Sequence, residues 1–170
     1  MGSTRVAGAA KTRGSPLVGL LIIGGAVALT ALVGGLGAAT SGNEYSQLNT
    51  PHWAPPPWLF SPVWTALYVL TAVSGWLVWY RHGWNGARPA LSLFFVQLAL
   101  NACWPVLFFA VGLRGAAFVE ICLLVLVLGA VIALFWRLSH SAAILLLPYL
   151  VWTLFATALN LSIWLLNTGS

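Results

Sequence analysis

Charge is missing from long stretches of this chain. Between Arg13 and Glu44 lie 30 uncharged residues. Within them, residues 17–40 are apolar and long enough for one helix across a hydrocarbon core, which takes about 20 residues. The next uncharged run, Tyr45 to Tyr80, divides in two. Its first half carries Pro51, Pro55, Pro56, Pro57 and Pro62, and prolines remove backbone donors and break helix interiors. Residues 41–61 are therefore predicted to be a structured loop outside the membrane. Residues 62–80 are predicted as a second helix with Pro62 in its first turn, where a missing N–H costs nothing.

Residues 81–88, with Gly83, Asn85 and Gly86, read as a short turn. A third helix follows over 89–110, kinked near Pro105. Gly112, Arg114 and Gly115 interrupt the pattern, and a fourth helix is expected over 116–136. Residues 137–141 make a tight turn before a fifth, 142–166, with Pro148 in its early turns. The predicted fold class is an all-α membrane protein: a bundle of five transmembrane helices with a structured first loop. It occupies residues 17–167 behind a basic extension, 1–16. The first apolar run exceeds the usual signal-peptide core of about 7–15 residues, so it is expected to stay as an anchor.

Composition supports this solvent. Only 5% of the 170 residues are charged and 61% are hydrophobic, against about 25% charged in an ordinary soluble domain. So few charges cannot cover a water-facing surface, which excludes a cytosolic enzyme and a disordered chain. The net charge of +5 comes from scattered residues and makes no phosphate-binding stripe, so no nucleic-acid partner is expected. The basic residues instead bear on topology. With five helices, Arg5, Lys11, Arg13, Arg81, Arg88 and Arg137 share one side, and Arg114 stands on the other. The positive-inside rule then places the N-terminus in the cytoplasm.

Helices in lipid pack through small residues. The first helix offers Ala31, Gly35 and Ala39 in one stripe, with Gly24, Ala28, Gly34 and Ala38 nearby. The stripe serves packing within the chain or pairing of two chains as a homodimer. Gln97, Asn101 and Asn160 fall inside predicted spans. Taken singly, each reads more readily as an interhelical hydrogen-bonding group than as a cavity wall. Glu120, the one acid inside a span, reads as a headgroup-level carboxylate near a helix start, with a proton-linked or ligand-contacting role as the alternative. Cys103 and Cys122 lie in apolar runs, His52, His82 and His140 lie in loops, and no metal site is expected.

Ten tryptophans are present. Trp53, Trp58, Trp64, Trp84 and Trp136 stand near predicted water boundaries, as an aromatic belt does. Trp104 and Trp152 do not. Trp104 follows Asn101 by three residues, Trp152 precedes Ala156 by four and Asn160 by eight, and Trp64 precedes Tyr68 by four. Each set shares a helix face. Three helices thus carry an aromatic with a small or polar neighbour, which suits a large, flat, mostly apolar ligand.

These residues fall in three ordered blocks. Trp53-Ala-Pro-Pro56 and Pro62-Val-Trp-Thr-Ala-Leu-Tyr68 form the first. Gln97 to Phe109, with Asn101, Trp104 and Phe108, is the second, and Pro148 to Asn160 is the third. Together they resemble the translocator protein family, TspO/MBR, also called tryptophan-rich sensory proteins or peripheral-type benzodiazepine receptors. The resemblance implies a five-helix, often dimeric bundle that binds porphyrins of the haem pathway. It implies Tyr45, Trp53, Trp64, Tyr68, Asn101, Trp104, Phe108, Trp152, Ala156 and Asn160 as ligand-binding residues. Tyr45 would sit in the lid formed by the first loop, and Glu120 stands where relatives often carry an acid. Relatives commonly have Trp-Tyr in the lid, whereas this chain has Glu44-Tyr45. The cholesterol motif of animal members is absent, because its Tyr and basic positions read Leu161 and Leu165. A bacterial cell membrane is therefore the expected location. The expected function is a tetrapyrrole receptor, sensor or transporter with no obligatory cofactor. The alternatives are light- and oxygen-dependent porphyrin degradation, or a scaffold subunit. No catalytic residue of a conventional kind is expected.

Overall fold

A computed structural model describes residues 15–39 and 44–168. The basic residues Arg5, Lys11 and Arg13, the predicted helix end at Thr40 and the side chain of Glu44 lie outside the described residues.

Uncharged aliphatic runs become helices here because a backbone in hydrocarbon must satisfy its own N–H and C=O groups. α1 runs Pro16–Ala39 and α2 is a single turn, Glu44–Gln47. A 3-10 turn at Pro57–Leu59 leads into α3, Phe60–Pro105, which continues through a π-helical turn, Val106–Ala110. α4 is Arg114–Leu138 and α5 is His140–Asn167. The predicted segments 116–136 and 142–166 lie within α4 and α5, and Pro148 is accommodated inside α5.

The predicted count of five helices is corrected. Among the described residues four helical stretches are long and apolar enough to cross a membrane: Pro16–Ala39, Pro57–Ala110, Arg114–Leu138 and His140–Asn167. The predicted second and third helices, with the turn between them, are one element, α3. Its helical pattern is interrupted internally, at Gly83 (φ 62°, ψ −178°) and Ala87 (φ −129°, ψ 19°). Gly83 takes a backbone conformation that essentially only glycine adopts. The element folds back on itself there. Tyr68 and Asn101, 33 residues apart, are hydrogen-bonded at 2.9 Å, whereas a straight helix would separate them by about 50 Å. Of the glycines that read as a loop, Gly83 leaves helical geometry, as does Ala87, and the two helical limbs of α3 join there through a tight reversal with no extended loop.

Close packing between α1 and the two limbs of α3 uses missing side chains. A Cβ on Gly19 would collide with the Trp79 indole, and one on Gly75 would lie 2.7 Å from Phe94 Cζ. Ile23, Val27, Leu67, Leu91, Phe94, Leu128, Phe135 and Leu146 form the buried core. Large apolar side chains such as Leu21, Leu29, Leu36, Leu126 and Val151 point outward, as a lipid solvent allows.

The two ends of the bundle are tied differently. At one end Trp76 Nε1 donates to the Pro16 carbonyl (3.0 Å). There the Arg81 guanidinium donates to Ser139 Oγ (2.9 Å), and His82 Nε2 lies 3.1 Å from the Leu138 carbonyl. Ser139 alone separates α4 from α5, and its hydroxyl accepts from the Ala142 N–H to cap α5. At the other end the segment 44–59 crosses the bundle as a strap.

Candidate functional site

The strap and the first turns of α3 bring a set of rings together. Pro51, Pro55, Pro56 and Pro57 keep this stretch out of a long helix, and it is held by short turns such as Ala54 N–H to the Pro51 carbonyl (2.9 Å). Tyr45 meets Phe60 and Phe109 edge-on at 5.9 and 6.4 Å. Trp53 meets Phe155 of α5 at 5.7 Å. These edge-to-face contacts suit the ring quadrupoles.

Below the strap is a cavity of about 520 Å³. One wall is the small-residue face of α1, including Ala31, Gly34, Gly35 and Ala38. The facing wall carries Phe60, Trp64, Thr65 and Tyr68, and the third carries Trp104, Pro105 and Phe109, with Tyr45 above. The predicted pair Trp64 and Tyr68 is stacked at 5.5 Å, as their four-residue spacing requires. Trp104 stacks on Phe108 at 5.2 Å.

The polar residues hold this wall from behind. Tyr68 donates to Asn101 Oδ1 (2.9 Å), and Asn101 Nδ2 donates to Tyr149 Oη (2.8 Å). Trp104 Nε1 donates to Asn160 Oδ1 (3.0 Å), and Asn160 Nδ2 donates to the Arg114 carbonyl (2.9 Å). Asn101 and Asn160 are thus interhelical hydrogen-bonding groups that fix the orientation of Tyr68 and Trp104. Gln97 is fully buried, and its amide has no partner among the described residues.

Of the sequence-predicted residues, Tyr45, Trp64, Tyr68 and Trp104 line the cavity. Asn101, Phe108 and Asn160 stand behind it. Trp152 is separated from it by Phe60, with which it makes an edge contact at 5.9 Å, and its indole N–H has no partner among the described residues. Trp152 instead borders a second, apolar groove of about 750 Å³ between the start of α3 and α5. Ala156 packs against Ile121 and Leu124, and Trp53 packs over α5. Glu120 sits two turns into α4 with both carboxylate oxygens buried and unpartnered among the described residues. Phe60, Phe109, Thr65 and the α1 face were not singled out as site residues. Phe109 stood inside the second block, but the glycines and alanines of α1 carry no chemical signal of a cavity.

Tyr45 lies outside the spans, and burial pushes its hydroxyl above the ordinary tyrosine value. That hydroxyl is buried without a partner among the described residues. It is therefore a protonated donor at neutral pH, placed at the roof of the cavity. Among the described residues, no group of three or more His, Cys, Asp or Glu stands together as metal ligands would.

The pattern of the TspO/MBR family matches residues 22–165. The chain belongs to the TspO/MBR family. It is 41% identical over 124 residues to the tryptophan-rich protein TspO of Archaeoglobus fulgidus, covering 72% of this chain and 79% of that one. It is 41% identical over 128 residues to the translocator protein of Ovis aries, covering 74% and 75%. With protein CrtK of Rhodobacter capsulatus it shares 36% identity over 141 residues, covering 82% and 88%. Family membership and the apolar helices make this an integral, multi-pass membrane protein. The matched region includes every residue that lines the cavity, so the cavity is built wholly from family sequence.

Proposed function

We propose that this TspO/MBR protein binds a tetrapyrrole in the cavity between α1 and the two limbs of α3, and acts as a membrane receptor, sensor or transporter for it. The observation that carries this reading is the cavity itself. Its volume falls in the range of ligand pockets, about 300–1,000 Å³, and it is walled by Phe60, Trp64, Tyr68, Trp104 and Phe109. A flat π-system gains both apolar burial and ring contact on such walls. The Tyr45 hydroxyl supplies a donor for a polar edge substituent such as a carboxylate. The names of the relatives, translocator protein and tryptophan-rich sensory protein, agree with a receptor or carrier.

The reading extends to location. Arg81 and Arg137 stand at the end where α1 begins, and Arg114 stands at the other. This supports placing the Arg81 end in the cytoplasm, and Leu161 and Leu165 in place of the animal cholesterol motif support a bacterial cell membrane.

The test is titration of the purified protein with protoporphyrin, following tryptophan emission in the dark and then under illumination. Saturable quenching, weakened severalfold in Trp64→Phe and Trp104→Phe with the helical circular dichroism intact, is the expected result. Absence of saturable quenching overturns the reading. Loss of pigment in the light, abolished by Trp64→Phe, would replace a receptor with a porphyrin-degrading enzyme.

A further inference from the structure

The cavity has two sides on which a ligand could enter, and they are not equally open. Toward the bundle end it is roofed by the strap. Tyr45 is wedged against Phe60 and Phe109. At mid-length the strap is tied to the last residue of α5 by a reciprocal clasp. The Asn49 N–H donates to Asn167 Oδ1 (3.1 Å), and Asn167 Nδ2 donates back to the Asn49 carbonyl (3.0 Å). The same Asn167 amide donates to the Ile163 carbonyl (2.7 Å), which fixes its orientation. One asparagine side chain thus pairs with both backbone groups of residue 49 as a neighbouring strand would. The grip uses the backbone of residue 49, not its side chain.

Toward the side, between α1 and the first limb of α3, nothing comparable closes the cavity among the described residues. Gly35 and Ala38 on one edge and Ser61 and Thr65 on the other line it, yet all four are exposed at the protein surface. They belong to stretches of spanning length, so this surface faces the bilayer. A Cβ on Gly35 would meet nothing within 4 Å. A Cβ on Gly34 would meet Tyr68 Oη at 3.4 Å, so α1 packs on the limb there and the opening lies along the Gly35 edge.

We infer that the cavity is loaded from the bilayer, sideways through the gap between α1 and α3, beneath a strap that the Asn167 clasp keeps shut. The inference rests on the ligand reading above for what is loaded. The entering molecule is a flat amphiphile already dissolved in the membrane, and it passes edge-on over Gly35 to reach Trp64. Gly35 keeps the gap wide by having no side chain. The strap is a fixed roof over the site.

Two measurements on the full chain in phosphatidylcholine nanodiscs test this. The first needs no ligand. The emission attributable to Trp64, taken as the difference between the parent protein and Trp64→Phe, is quenched by lipids brominated near the acyl carbonyl and not by aqueous acrylamide. Gly35→Phe removes the lipid quenching. Quenching of Trp64 by acrylamide but not by brominated lipid overturns the inference. The second follows protoporphyrin association by stopped flow. Gly35→Phe slows it about tenfold or more, Gly35→Ala slows it less, and Gly25→Phe leaves it unchanged. A Cβ at Gly25 also meets open space, but Gly25 is away from the cavity. Asn167→Ala raises amide hydrogen exchange over the strap, Asn49→Ala does not, and neither alters association. Faster association in Asn167→Ala with no slowing in Gly35→Phe overturns bilayer loading in favour of entry past the strap. If protoporphyrin gives no saturable signal while the brominated-lipid result holds, the tetrapyrrole reading fails and the lateral opening stands.

Discussion

Asn101 satisfies two tyrosines at once, accepting from Tyr68 and donating to Tyr149. Replacing it with leucine leaves two hydroxyls in the bundle without that partner, at a cost of about 1–3 kcal/mol. Asn101→Leu is therefore expected to lower the thermal unfolding midpoint in detergent by several degrees, and an unchanged midpoint would show that the pair of bonds carries no net stability. Tyr45 makes a different kind of residue-scale claim. Its hydroxyl is held above the ordinary tyrosine value by burial. A raised folded value favours the neutral form, so the hydroxyl stays a donor below the ordinary value of 10.0 and is lost only as pH rises through the folded one. Tyr45→Phe should weaken protoporphyrin binding severalfold by a factor that is constant between about pH 7 and 9. A Tyr45→Phe effect that fades within that range would mean the hydroxyl ionises there.

Glycine divides the helices by what its missing side chain does in each. Gly83 bends α3 at φ 62° and ψ −178°, a region nearly closed to other residues, so Gly83→Ala should cost about 1–3 kcal/mol. Gly25 lies in α1 with open space beyond it, so Gly25→Ala should be neutral or stabilising by up to about 1 kcal/mol through helix propensity. Chemical denaturation of the two variants side by side separates a backbone requirement from a packing one, and equal effects would remove the distinction. The same contrast shows what was legible in the sequence. The absence of charge marked the apolar helices, and the prolines marked the strap, because both follow from local backbone chemistry. The four-residue spacing of Trp64 and Tyr68 placed them on one wall. Helical spacing could not say that Phe60 would stand between Trp152 and the cavity, because it orders residues on one helix and leaves the facing neighbour open. Nor could it distinguish a loop at Gly83 from a fold within a continuing helix, since both use the same glycines. The α1 wall was invisible for a related reason: alanine and glycine contribute the cavity by leaving space.

At the scale of the whole molecule, the few charges and the ties at each end set an axis. Arg81 is bonded to Ser139 beside the short turn between α4 and α5. Arg137, two residues before Ser139, is exposed, and α1 begins at the same end through the Trp76 bond to Pro16. Asn167 and the strap occupy the opposite end. α5 runs from His140 to Asn167 without interruption. At about 1.5 Å per residue, 28 residues extend about 42 Å, enough to cross the hydrocarbon core. Residues 140 and 168 therefore lie on opposite faces of the membrane, whatever path the earlier helices take. If the arginine-rich end is cytoplasmic, a cysteine in place of Thr168 reacts with an impermeant maleimide added outside intact cells. One in place of His140 reacts only after permeabilisation. Both positions are exposed, and Cys103 and Cys122 are replaced by alanine beforehand so that only the introduced thiol reports. The reverse pattern would place the strap and the Tyr45 roof on the cytoplasmic side. Labelling of both positions from outside would mean that α5 does not span.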